Sequence, residues 1–196
     1  MEKALLSKFE FIMMFVSVVV AFAMAELLMG WGKIIRARSR VKHPWLLAGW
    51  SFWLLIIITY HYLGFWEYQA YNFTKVAPMV LFLAAPVMMV LLTFVLTPDL
   101  RYFQKMDLEE HYFQTKNWFF CMVIIFLILS RASDPLLPDF AETWMGRSAG
   151  TLLVTLSVIW LLFTNNRVVH YFLLCFNLAY LILVASFIPV TGMTAF

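Results

Sequence analysis

A chain of 196 residues with 64% apolar and 13% charged side chains is far from a soluble domain, which is about half apolar and about a quarter charged. This composition marks a membrane protein and excludes a soluble globular fold. The net charge of +3 is no sign of nucleic-acid binding, which needs a basic face on a soluble surface; it follows from where Lys and Arg lie between apolar runs.

Six apolar stretches predict one all-α, polytopic bundle over residues 1–196, with transmembrane helices at about 11–31, 46–66, 77–97, 110–130, 148–164 and 168–189. Most are near the roughly 20 residues that cross a bilayer. Ser7 and Glu10 form a capping box before the first span, and Asp107 and Glu110 form another that starts the fourth near Leu108. The first run is longer than a signal-peptide core and no small-residue cleavage site follows it, so it is expected to stay in the mature chain.

Span one carries Glu26, the charged side chain deepest in any apolar run. Its helical face-mates are Val19, Ala23, Gly30 and Lys33, a mostly small face suited to close helix approach. Two readings stay open for this carboxyl. It is a titratable proton or cation site reached from the cytoplasm, or it ties helices by hydrogen bonding, with Lys33, Arg36, Asn117, Arg167 and His170 as candidate partners. The following link holds Lys33, Arg36, Arg38, Arg40 and Lys42.

Span two ends in an aromatic cluster that includes Tyr60, His61 and Trp66. These residues predict either a pocket for a flat apolar ligand or the ordinary interfacial belt, with Trp45 and Trp50 marking the opposite boundary. His61 has no histidine at its own depth to share a haem, and His43, His111 and His170 lie in no metal-binding spacing. No metal or cofactor is expected.

Pro86 in span three removes a backbone hydrogen bond and predicts a kink with carbonyls freed at mid-membrane. In the next link, Leu100, Phe103, Met106 and Phe113 recur near helical spacing and predict a helix on the membrane surface. Cys121 and Cys175 fall within spans four and six and read as buried free thiols. Asp134-Pro135 and Pro138-Asp139 punctuate a loop, and Gly146 and Gly150 predict a close helix contact. Asn177, with Ser157 and Thr155 for company, is a mid-membrane polar group, and His170 stands at the mouth of span six.

The links after spans one, three and five hold Lys33, Arg36, Arg38, Arg40, Lys42, Arg101, Lys105, Lys116 and Arg167, against Lys3, Lys8, Lys75, Arg131 and Arg147 on the other side. Lys and Arg are retained on the cytoplasmic side. Both termini are therefore expected outside, on the periplasmic face of a bacterial inner membrane. A division into three plus three helices would make the halves inverted repeats.

No intramembrane lysine for a Schiff base, arginine ladder or potassium-selectivity filter is found. No set of Ser, His and Asp gathers at one depth, so the chain reads as no enzyme. The run Phe15 to Arg36, with Ala25-Glu26-Leu27-Leu28 and Gly30, and the run Leu108 to Phe120, with His111-Tyr112-Phe113 and Asn117-Trp118-Phe119-Phe120, resemble small uncharacterised bacterial multi-pass membrane proteins. That resemblance implies a six-helix membrane fold and carries no activity. Two functions of different class stand. One is a small proton- or cation-linked transporter or channel, built around Glu26, Pro86, Asn177 and His170. The other is a non-catalytic accessory or anchoring subunit, homo-oligomeric or in a membrane complex, whose basic links Lys33 to Lys42 and Pro98 to Asn117 bind a partner or anionic lipid.

Overall fold

The computed structural model describes residues 8–71, 73–98, 106–136 and 140–187, with side chains excepted at 140–144, 146, 147 and 185–187. Six helices make up nearly all of it: α1 (Lys8–Arg36), α2 (Trp45–Gly64), α3 (Val76–Leu96), α4 (Leu108–Ala132), α5 (Phe140–Phe163) and α6 (Arg167–Phe187). Five stretches are long and apolar enough to cross a membrane, and the apolar part of α5, Ser148–Phe163, is shorter. Two short strands, β1 (Val41–Lys42) and β2 (Met106–Asp107), complete the fold.

Local chemistry sets several helix ends. Asp107 caps α4, its Oδ1 accepting from the backbone N–H of Glu109 at 2.9 Å and of Glu110 at 3.4 Å. The Glu110 carboxylate takes the Gln114 side-chain amide at 3.4 Å, so the cap is made by Asp107. Asn166 caps α6 in the same way, accepting from Val168 N–H at 2.9 Å. Pro44 stands immediately before α2, where a missing N–H costs nothing. The helix α3 runs unbroken through the buried Pro86, which leaves the Phe82 carbonyl without its helical donor.

Helix α2 occupies the centre, against α1, α3, α4 and α6; α3 lies between α1 and α4, and the α5–α6 hairpin closes the bundle. The core is aromatic around Trp50, whose ring meets Trp53, Phe119 and Phe120 at centroid distances of 5.4, 6.1 and 5.0 Å. Trp50 is thus wholly buried, whereas Trp45 is 73% exposed. Helices approach closely at three glycines: an added Cβ would meet Thr97 at Gly30, the flexible end of Leu174 of α6 at Gly49, and the Tyr180 hydroxyl at Gly150. Among the described residues the wide α1–α3 contact has no counterpart of similar extent between α4 and α6.

Other details depart from the sequence reading. Cys121 and Cys175 are free thiols but exposed on the outside of the bundle, because a helix that is apolar all round gives periodicity no inner face to pick. Met106 lies in β2 and Phe113 in α4, so no single surface helix joins them; Leu100 and Phe103 lie outside the described residues, as do Ser7, Pro138 and Asp139. The polar stretch from Phe140 to Arg147 belongs to α5, where an apolar criterion misses it. Lys116, counted with a link, is buried within α4.

Candidate functional site at the basic end of the bundle

The C-terminal ends of α1, α3 and α5 and the N-terminal starts of α2, α4 and α6 share one end of the bundle. There β1 and β2 pair in parallel, Val41 opposite Met106 and Lys42 opposite Asp107, with Met106 N–H donating to the Arg40 carbonyl at 3.1 Å. The described ends of two links, 64 residues apart in sequence at His43 and Asp107, thereby join in one small platform. His43 adopts a left-handed backbone conformation, φ 47°, uncommon for a residue with a Cβ. Its Nδ1 stands 3.0 Å from Asp107 Oδ2. This hydrogen bond, reinforced by the backbone N–H groups of Glu109 and Glu110 and opposed by partial burial, holds the Asp107 carboxyl below its ordinary value of 3.8.

Below the platform, α4 presents charge to the turn between α5 and α6. Arg167, the first residue of α6, forms an ion pair with Glu109, its Nε 3.2 Å from Oε1; a cation is disfavoured at a helix N-terminus, and the buried Glu109 offsets this. Two turns on, Lys116 Nζ donates to the Leu161 and Leu162 carbonyls, both at 3.0 Å. These belong to the last turn of α5, where a cation is favoured. Between them Tyr112 meets His170 Nδ1 at 2.6 Å, and His170 Nε2 stands 3.0 Å from the Thr164 carbonyl. A carbonyl can only accept, so Nε2 carries a proton, and a neutral His170 then accepts the Tyr112 hydroxyl proton at Nδ1.

Basic side chains lie along the last turn of α1 and the link that leads into β1. Lys33, Arg36, Arg38 and Lys42 are exposed and Arg40 is partly so. His43, Asp107 and Glu109 offer donor atoms all within 4.8 Å of one another, a set with the chemistry of a metal site. The Asp107 oxygens already take His43 and two backbone N–H groups, and Glu109 takes Arg167. An ion there would have to displace these partners inside a cationic surrounding.

The residues singled out in the sequence do not converge. Glu26 is partly exposed on α1, between the Phe22–Phe94 ring contact at 5.9 Å and the point where Gly30 lies against Thr97. Ala23 and Gly30 are buried, so the small face does turn toward α3. His170 and Arg167 are bonded to α4, away from Glu26. Asn177 donates to Ser157 Oγ at 3.0 Å and to the Leu173 carbonyl at 2.7 Å, tying α6 to α5. At the opposite end, Tyr60 lines a shallow apolar groove with Leu63 and Leu181. His61 points inward onto Phe65 and Phe126, with ring centroids 4.8 and 5.3 Å away, and Trp66 packs on Phe9 at 6.0 Å. Of these three aromatics, Tyr60 lines that groove and His61 and Trp66 do not.

Glu109, Tyr112 and the burial of Lys116 were missed in the sequence. Their signal was a spacing: Glu109, Tyr112, Lys116, Phe119, Phe120 and Val123 are all buried on one stripe of α4, so two charges lie on a core-facing face. No protein-family model matches the chain, and neither the curated proteins nor the solved structures give a match.

Proposed function

We propose that this protein is a non-catalytic accessory or anchoring subunit of a membrane complex. In this reading it crosses the bacterial inner membrane six times, with both termini periplasmic and the basic end in the cytoplasm. The observation that carries it is the β1–β2 pairing, which joins Val41–Lys42 to Met106–Asp107 at one end of the bundle, where Lys33, Arg36, Arg38 and Lys42 are exposed. Loose basic loops would serve retention alone; a folded basic platform offers a preorganised face to an acidic partner surface, or to anionic headgroups at about 1 kcal/mol per cation.

The alternative, a proton- or cation-linked transporter, needs polar groups along a shared path. Asn177 and His170 are committed to bonds between helices, which is why the anchoring role ranks first. The test is purification from native membranes in gentle detergent, comparing the wild type with a variant in which Lys33, Arg36, Arg38, Arg40 and Lys42 are all Gln. A stoichiometric protein partner or retained anionic lipid, lost in the variant, supports the reading. Identical composition of the two preparations would sink it.

A further inference from the structure

Glu26 has no hydrogen-bond or ion-pair partner among the described residues, yet it is partly exposed on a helix whose neighbouring surface is apolar. On its face of the helix Phe22 is 50% exposed and Met29 50%. The carboxyl lies ten residues before the end of α1 at Arg36, about 15 Å along the axis. Side chains on a helix lean toward its N-terminus, so Glu26 is aimed away from the basic end and deeper into the apolar span. It cannot reach the interface as a long cationic side chain at the same place would. Lys33, seven residues on, lies about 10 Å further along the axis and is itself exposed at the helix end.

Three other polar side chains within the apolar spans are spent inside the bundle. Lys116 is bonded to two carbonyls, Asn177 to Ser157, and His170 to Tyr112 and Thr164. Glu26, at the edge where α1 meets α3, keeps partial exposure and has no donor among the described residues. An uncompensated carboxyl at membrane depth is costly, and the cost is removed by a donor supplied from outside the chain.

We infer that Glu26 is the contact point for a transmembrane helix of another protein that carries a Lys or Arg at the same depth. Phe22 and Met29, one turn to either side on the same face, supply apolar surface around it. Charge complementarity selects this occupant over a second copy of the chain. Among the described residues, the Lys and Arg side chains are at the helix ends, save Lys116, which is buried and bonded; a second copy could bring no free cation to that level. The inference rests on the anchoring role and names the kind of partner that role requires.

The probe is a synthetic transmembrane peptide of Leu and Ala with one Lys at the depth of Glu26, and its twin with Leu in place of that Lys. Binding to the labelled protein is followed by energy transfer in liposomes. The Lys peptide is expected to bind the wild type about tenfold more tightly than it binds Glu26→Gln, and more tightly than the Leu peptide binds the wild type. Glu26→Asp, which keeps the charge, should retain most of the preference; thermal unfolding in detergent should be unchanged in both variants. Equal binding of the two peptides overturns the inference. So does Glu26-dependent energy transfer between copies of the chain alone, which would assign the surface to self-association, or proton flux that needs Glu26 while the peptides show no preference. The five-Gln platform variant should bind the Lys peptide as the wild type does. If that holds while native partners are unaffected by the platform change, the platform reading fails and the Glu26 contact stands.

Discussion

Tyr112 of α4 and His170 of α6 are joined by a 2.6 Å hydrogen bond, and both residues are fully buried. The histidine is held at its other nitrogen by the Thr164 carbonyl, so the ring links a long helix to the turn that starts the last one. Removing the phenol oxygen strands Nδ1 in the core. Tyr112→Phe is expected to cost about 1–3 kcal/mol, the desolvation of an orphaned acceptor. Thermal unfolding in detergent checks it, and a variant as stable as the wild type would mean that water reaches Nδ1.

Lys116 gives a second case in which charge matches a helix end. Its ammonium caps the Leu161 and Leu162 carbonyls at the C-terminus of α5. Lys116→Met keeps the apolar stem and removes the donors, so the lost stability isolates the cap, at about 1–3 kcal/mol for buried carbonyls left with a charged donor removed. The same substitution at the exposed Lys33 should lie within about 0.5 kcal/mol of the wild type.

The helices were legible in the sequence because a membrane span must close its own backbone hydrogen bonds over a fixed length. For α2 and α3 the expected and observed ends differ by one or two residues. What stayed hidden depended on which helices touch. Nothing local announces that Val41 pairs with Met106, since two-residue strands carry no periodicity. The lipid-facing surface of α4 and α6 is as apolar as the core, so Cys121 and Cys175 could not be told from inward positions. Glu26 drew attention by its charge, and the sequence did not show that its neighbours would leave it without a partner.

The platform should respond to acid in a defined direction. The Asp107 carboxyl is held below its ordinary value of 3.8, first by His43 and then by two backbone N–H groups. A group so depressed contributes stability that is fully present above that ordinary value and is lost as pH falls through the lowered one. Amide hydrogen exchange at Met106, whose N–H is bonded to the Arg40 carbonyl at 3.1 Å, should therefore stay protected at neutral pH and open as the pH drops below about 4. Asp107→Asn keeps a capping oxygen and loses the charge; protection at Met106 should then become insensitive to pH over that range.

Gly49 sets the distance between α2 and α6, because a Cβ there would run into the Leu174 side chain. The obstructing atoms are the ends of a flexible side chain, so Gly49→Ala can be met by a rotation of Leu174 with little loss. Gly49→Val adds branched bulk that this rotation cannot clear, and it should cost about 1–3 kcal/mol by overpacking. The damage should be local: thermal stability falls, and a disulfide engineered across the α2–α6 seam forms more slowly than in the glycine parent, while one across the α1–α3 seam at Phe22 and Phe94 forms as before. Equal loss at both seams would show that α6 does not move as a unit when its contact with α2 is crowded.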